Sequence, residues 1–143
     1  MTTPTQSKAD VRQCVALLAI RSMDDSLRFY VDGLGFRMTN KWEPEGRLRW
    51  CWLERDQAAL MLQETLPEQR HRFPEGQVGL GVSLNFVCGD ALAFYHEVKA
   101  RGIATRRPFV GNGMWVTALT DPDGYELTFE SLTDAPEETE YQE

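Results

Sequence analysis

Few side chains in this sequence combine a reactive type with a spacing that indicates a known chemistry. The two histidines are His71, in a polar segment, and His96, in a helical pattern, and no Ser-His-Asp arrangement can be read around them. There is no GxGxxG or P-loop motif. The three cysteines lack CxxC spacing, so we predict buried free thiols in a reducing cytoplasm, at Cys14, Cys51 and Cys88.

Tryptophans offer a different kind of chemistry, which is the binding of flat apolar molecules. Trp50 and Trp52 share one face of the strand-like stretch RLRWCWLE, and Trp115 follows the Asn112-Gly113 turn. Indoles with a few convergent polar groups are typical of small-molecule pockets. Packing in the core or in a dimer interface is the alternative interpretation for all three.

Carboxylates and arginines are less specific. The stretch DPDGYELTFES, residues 121–131, predicts a tight turn and a strand in which Glu126 and Glu130 share a face with Thr128. Arg106 and Arg107 could contact an anionic ligand, although a solvated pair on an edge strand is the simpler interpretation.

Length and charge limit the function classes. A chain of 143 residues, 42% hydrophobic, predicts one domain with a core. The net charge of −7 comes from 22 acidic and 15 basic residues; five of the acids lie in the stretch 133–143, which leaves 17 acids elsewhere. We therefore predict a solvated acidic tail and no nucleic-acid partner. No apolar run of membrane-spanning length and no secretory signal is present, so we expect a cytoplasmic protein that does not enter membranes.

Secondary-structure signals occur in the same order twice. The first half, about 11–65, reads as a strand at 13–20, a helix capped by Ser22, and strands at 36–43, 47–54 and 58–64. The second half, about 80–131, reads as a strand at 81–88, a helix opened by Asp90, and three strands. Residues 1–10 are predicted to be a loose arm and 66–79 a linker. The chain therefore reads as an internal repeat of βαβββ modules.

This repeat resembles the vicinal oxygen chelate superfamily, which includes glyoxalase I, bleomycin-resistance proteins and extradiol dioxygenases. SLRFYVDGLGF resembles the first helix of the family, and DPDGYEL resembles the turn before its last strand. The resemblance spans about 11–131, within a domain at 11–132. It implies an α+β fold in which two βαβββ modules form a curved mixed sheet, within one domain. Within the superfamily, the second half is most similar to glyoxalase/bleomycin-resistance-type proteins.

The resemblance also implies where a divalent metal would be bound. Family members use His, Glu or Gln from the first and fourth strands of each module. The equivalent positions in this sequence hold Val15, Ser83, Thr128 and either Met61 or Gln63. None of them is His, Asp or Glu, so we expect no cofactor, with a divalent metal held by displaced ligands as the main alternative.

Alternation along the strands predicts which side chains line a cleft. Val15 and Leu17 in the first strand and Ser83 and Asn85 in the fifth would point into it, because the opposite parity is apolar and suits a core. The full set of expected ligand-binding residues is Val15, Leu17, Trp50, Trp52, Met61, Gln63, Ser83, Asn85, Trp115 and Thr128.

Three functions are consistent with these patterns. The first is a metal-free binding protein that holds a small apolar or aromatic molecule, as bleomycin-resistance proteins sequester a drug. The second is a lyase, isomerase or dioxygenase with displaced metal ligands or none. The third is a structural or regulatory dimer without a ligand. Because many relatives form such clefts across two chains, we expect a homodimer.

Overall fold

The computed structural model describes residues 8–72 and 78–143 and contains two modules with the same order of elements. Residues 1–7 of the predicted loose arm and residues 73–77 of the predicted linker lie outside the described residues. The first module contains β1 (Ala16–Ile20), α1 (Met23–Leu27), β2 (Arg37–Trp42), β3 (Trp50–Arg55) and β4 (Ala58–Glu64). The second contains β5 (Ser83–Val87), α2 (Ala91–Ala100), β6 (Phe109–Gly111), β7 (Met114–Thr120) and β8 (Glu126–Leu132).

Each module forms its own four-stranded mixed sheet, so the fold is α+β, as the sequence predicts. The strand orders are β1-β4-β3-β2 and β5-β8-β7-β6. The first strand of each module runs parallel to the fourth, and the other neighbours are antiparallel. The predicted mixed sheet is thus divided into two sheets within one domain.

Both helices begin at the predicted caps. The Ser22 side chain accepts a hydrogen bond from the Asp25 amide at 3.2 Å, and the Asp90 side chain accepts from the Leu92 and Ala93 amides at 3.0 Å. After Leu27 the first helix continues as a π-helix to Gly33.

A shared core joins the two modules through the sides of the sheets that carry the helices. Phe36 of the first module lies edge-on to Phe86 of the second, with ring centroids 6.0 Å apart. The buried Tyr30 hydroxyl donates to Asp121 Oδ2 at 2.7 Å, and the Tyr125 hydroxyl donates to the Ala19 carbonyl at 2.9 Å. The opposite face of each sheet points away from this core, and we call it the open face of that sheet.

The DPDG turn is an internally bonded loop that also contacts the first module. Asp121 Oδ1 accepts hydrogen bonds from the amides of Asp123 and Tyr125 at 2.9 and 2.8 Å. Asp123 Oδ1 accepts from the Arg21 amide at 3.1 Å. Burial raises the pKa of both aspartates, partly offset by these donors. The turn therefore fixes the start of β8 relative to β1.

The acidic tail is not a free chain. Its five acidic side chains are exposed, as predicted, but its backbone pairs with β6: the Val110 amide donates to the Thr139 carbonyl and the Tyr141 amide to the Pro108 carbonyl, both at 2.9 Å. The Tyr141 hydroxyl lies 2.9 Å from His96 Nε2. The charge pattern did not indicate this pairing of the tail, because backbone hydrogen bonds do not depend on side-chain charge.

The prediction of three buried thiols is confirmed for Cys51 and is wrong for Cys14. Of the three cysteines only Cys51 is buried; Cys88 is partly buried and Cys14 is exposed. In the described part of the chain, no helix is both long and apolar enough to cross a membrane.

Candidate functional site

The open face of the first sheet carries a cluster of indole rings. In the register of the sheet, Trp52 lies opposite Met61, and Trp50 lies opposite Gln63. Met61 in turn lies opposite Leu17 of β1. Because paired residues project on the same side of a sheet, these side chains form one surface. Val15 directly precedes β1, on the parity of Leu17, and is partly buried.

A third tryptophan, which the sequence analysis missed, completes this cluster. Trp42 of β2 lies opposite Trp50, and its side chain is 55% exposed. An irregularity in pairing between Met38 and Asn40 shifts the register, so that Met38 lies opposite the core residue Leu53 while Trp42 points outward. The available signal was the presence of three tryptophans within eleven residues. We call Trp42, Trp50 and Trp52 the indole cluster.

The open face of the second sheet carries a hydrogen-bonded polar group instead. Asn85 lies opposite Thr128 across the parallel pair β5 and β8, and Ser83 precedes it on the same face. The Thr128 hydroxyl donates to Asn85 Oδ1 at 2.5 Å, and the Ser83 hydroxyl donates to the same oxygen at 3.1 Å. Because Asn85 Oδ1 accepts both hydroxyls, the Asn85 amide nitrogen is the donor that this face offers.

Two carboxylates flank Thr128 on the same face, as the alternation predicts. Glu126 Oε2 accepts a hydrogen bond from Arg106 at 2.7 Å, and its Oε1 accepts from the Thr120 hydroxyl at 3.1 Å. Glu130 Oε1 lies 3.1 Å from the Thr128 hydroxyl. Arg106 thus pairs with a carboxylate of its own chain, which reduces its value as an anion-binding group.

Trp115 is not part of either open face. It lies opposite Ser131 on the side of β7 that carries the helix, where its ring packs edge-on against Tyr141 with centroids 6.1 Å apart. The expectation that it lines a cleft with Ser83 and Thr128 is therefore not met by the structure. The other residues of the expected set lie on the two open faces. Val15, Leu17, Trp50, Trp52, Met61 and Gln63 lie on the first sheet, and Ser83, Asn85 and Thr128 lie on the second.

The positions at which the resemblance implies metal ligands carry no His, Asp or Glu side chain. They hold Val15, Ser83, Thr128 and either Met61 or Gln63, with isopropyl, hydroxyl and thioether or amide groups in the places of imidazole and carboxylate. Within residues 8–72 and 78–143, no group of three or more His, Cys, Asp or Glu side chains is arranged to hold a metal ion. The donor set therefore does not fit the metal that the superfamily commonly carries.

Comparison with known proteins identifies the superfamily to which this chain belongs. A model of the Glyoxalase/Bleomycin resistance protein/Dioxygenase superfamily matches residues 12–129, and the chain is a member of that superfamily. A search of curated proteins found no match.

Solved structures with the same fold include antibiotic-binding proteins. A bleomycin-binding protein in complex with bleomycin is 22% identical, with a TM-score of 0.66 over 86% of this chain and 100% of that chain. The bleomycin resistance determinant encoded on transposon Tn5 is 23% identical, with a TM-score of 0.65 over 85% and 98%. The antibiotic-binding protein TnmS3 from Streptomyces sp. CB03234 is 20% identical, with a TM-score of 0.62 over 85% and 98%. At these identities the likeness shows a shared fold.

Proposed function

We propose that this protein binds and sequesters a small apolar or aromatic molecule against the indole cluster, without a metal ion. The observation that carries the proposal is the presence of three tryptophans on one open sheet face, with Trp42 55% exposed. Indole rings give large, flat contact areas with little loss of conformational entropy on binding.

The surroundings of the indole cluster suit such a ligand. Met61 and Leu17 extend the apolar surface, and Gln63 adds an exposed amide at its edge. The Trp52 Nε1 group donates to Glu54 Oε1 at 3.0 Å, which fixes the orientation of that ring. The bleomycin- and antibiotic-binding proteins with the same fold support a role in antibiotic sequestration.

A second copy of the chain completes the site in this proposal. Large apolar side chains are exposed on both open faces: Leu17 and Trp42 on the first sheet, at 48% and 55%, and Val87 and Leu132 on the second, at 83% and 87%. Stable monomers rarely leave such surfaces uncovered. A homodimer that places the indole cluster of one copy opposite the Asn85–Thr128 group of the other would form a cleft with one apolar and one polar wall. We expect this dimer to act in the cytoplasm.

The test is a binding titration with matched tryptophan variants. Metal-free bleomycin and a planar anthracycline serve as probes, and tryptophan fluorescence reports binding. We expect Trp52→Ala to weaken binding at least about tenfold, which corresponds to 1.4 kcal/mol of lost stacking. Trp115→Phe is the control, because Trp115 lies on the second sheet, on the side that carries the helix.

Three results would count against the proposal. Equal loss of binding in both variants would mean that the tryptophans act only through stability. If either probe binds saturably and Trp52→Ala leaves that binding unchanged, the ligand lies away from the indole cluster. If neither probe nor any molecule of a wider aromatic panel binds, the protein does not have the proposed binding function.

A metal-dependent or metal-free enzyme of the same superfamily is the second candidate. The observation that favours it is the pair Glu126 and Glu130, which flank Thr128 on the open face of the second sheet. Elemental analysis of protein purified without chelators distinguishes a metal-dependent enzyme from the metal-free binding site. Stoichiometric zinc, nickel, iron or manganese that is lost in a Glu130→Gln variant would support the enzyme and contradict the metal-free site.

A further inference from the structure

A groove between the two modules, separate from the indole cluster, has the size of a small-molecule site. Its volume is about 710 Å³, within the range of ligand pockets. One wall is the turn between β3 and β4 around Asp56, and the other is the segment from Cys88 to Asp90 that leads into α2. Ala93 and Glu97 of α2 close its end. We call this the inter-module groove.

Its floor is a row of phenylalanine rings from both modules. Phe86 and Phe129 are stacked with centroids 4.8 Å apart and planes 10° apart, and Phe94 stacks on Phe129 at 3.8 Å. Phe36 meets Phe86 edge-on. Phe36, Phe94 and Phe129 are nearly covered, whereas Phe86 is partly exposed. A flat ligand that enters the groove can therefore pack on Phe86 and extend an existing aromatic stack.

The polar lining of the groove is acidic. The charged residues that line it are three carboxylates and one guanidinium, at Asp56, Asp90, Glu97 and Arg55, which gives a formal charge of −2. The guanidinium is already engaged: Arg55 Nη1 donates to Glu97 Oε2 and to the Leu34 carbonyl, both at 2.6 Å. The Arg55 Cζ atom also lies 5.4 Å from the centre of the Phe94 ring.

The carboxylate that pairs with this guanidinium is charged at neutral pH. The hydrogen bond from Arg55 is the main cause that lowers the pKa of Glu97. The groove thus combines an aromatic floor with carboxylates and a cation that is not available to an anionic ligand. Such a lining attracts positively charged ring systems and disfavours negatively charged ones.

We propose that the inter-module groove is a second ligand site, which binds a planar aromatic cation. The ligand stacks on Phe86, and its positive charge lies toward Asp56, since Glu97 is already paired with Arg55 and Arg101. The site is formed by one chain and does not include the indole cluster. Asn85 lines the groove as well as the polar wall of the cleft proposed above, so the two sites meet at that residue.

The groove contains its own chemical reporter. Cys88 lines it and is partly buried, whereas Cys51 is fully buried and Cys14 is exposed. In a Cys14→Ser background, alkylation by iodoacetamide at mildly alkaline pH should therefore occur mainly at Cys88. The probes are 9-aminoacridine, a planar cation, and acridine-9-carboxylate, an anion of nearly the same shape.

We expect 9-aminoacridine to slow the alkylation of Cys88 and to bind at least about fivefold more tightly than the carboxylate, with the difference shrinking at high salt. Ala93→Phe fills the groove from an exposed position of α2 and should weaken binding of the cation at least about tenfold. Ala100→Phe is the control, since Ala100 is exposed on the same helix outside the groove. Asp56→Asn should weaken binding of the cation about two- to threefold and should not weaken binding of the anion, because the substitution removes a negative charge that repels it.

Several outcomes would overturn the proposal. These are equal binding of the two acridines, equal behaviour of the Ala93→Phe and Ala100→Phe variants, or no protection of Cys88 at millimolar probe. Loss of cation binding in Trp52→Ala but not in Ala93→Phe would place the probe on the indole cluster instead. If Ala93→Phe lowers the melting temperature strongly, the Asp56→Asn comparison decides the matter.

Discussion

Glu64 shows how one buried carboxylate can join a strand to a helix. The side chain lies at the end of β4 on the core side, and the residue is 7% exposed. Its Oε2 accepts a hydrogen bond from the Met23 amide at 2.8 Å, at the first residue of α1, and its Oε1 pairs with Arg47. Because the N-terminus of a helix carries partial positive charge, a carboxylate is stabilised there.

The pKa of Glu64 follows from these contacts. Burial raises the pKa of this carboxyl, but Arg47 and the Met23 amide outweigh burial, so that the net shift is downward. A carboxyl with a lowered pKa in the folded state stabilises the fold above its usual pKa near 4. That contribution is lost as the pH falls through the folded-state value.

We therefore expect Glu64→Gln to lower the free energy of unfolding by about 1–3 kcal/mol at pH 7, since a charged buried acceptor is lost. The difference from the unmodified protein should shrink as the pH is lowered toward 3. Urea unfolding at several pH values measures this, with the exposed Glu68→Gln as control. A difference that stays constant over the whole pH range would show that Glu64 does not act through its charge.

Among the elements, the tail that follows β8 covers an edge of the second sheet. β6 is a three-residue edge strand, and the tail supplies backbone partners for Val110 and Pro108. At the end of the tail, Glu143 Oε1 accepts hydrogen bonds from Lys99 at 2.6 Å and from the Tyr95 hydroxyl at 2.7 Å. Covered edges do not pair with other chains, which protects a sheet from aggregation.

Removing residues 138–143 should expose that edge. We expect hydrogen exchange of the Val110 amide to speed up at least about tenfold, because the amide loses its partner at the Thr139 carbonyl. Glu143→Gln is the control, since it keeps the backbone pairing and changes only a surface ion pair. Unchanged exchange at Val110 would mean that the tail does not cover β6 in solution.

Alternation and capping made most elements predictable from the sequence. Ser22 and Asp90 mark the starts of both helices, and β1 and β5 alternate clearly between the core and an open face. β7 shows no such alternation, because four consecutive residues from Val116 to Leu119 are buried. The side chains on its two faces are therefore equally apolar or small and do not indicate which face is open. The face of Trp115 could therefore not be read from its strand. The pairing of the tail with β6 was not predicted, because the charge of its side chains gives no information about its backbone hydrogen bonds.

At the scale of the whole molecule, exposed apolar side chains on both open faces support the proposal that a second copy covers them. The sequence predicted one cleft lined by a single set of residues, because alternation along the strands does not show that the members of the set lie on two different sheets. The inter-module groove was not predictable either, since Phe36, Phe86, Phe94 and Phe129 read only as core residues.

We expect the protein to sediment as a homodimer at micromolar concentration. Leu17→Glu on the first sheet and Leu132→Glu on the second should each weaken association at least about tenfold, because a charge would be buried in an apolar interface. Val11→Glu is the control, because Val11 is 92% exposed and precedes β1. A monomer in solution, or a dimer that neither open-face variant weakens, would contradict this arrangement.

The central claim is that aromatic binding at the indole cluster needs no metal ion. The most direct measurement is a calorimetric titration of the protein with metal-free bleomycin, or with the tightest aromatic ligand found, before and after exhaustive treatment with a chelator. We expect the same dissociation constant in both titrations and at least about tenfold weaker binding by Trp52→Ala. Binding that disappears after chelation and returns with added zinc or manganese would contradict it.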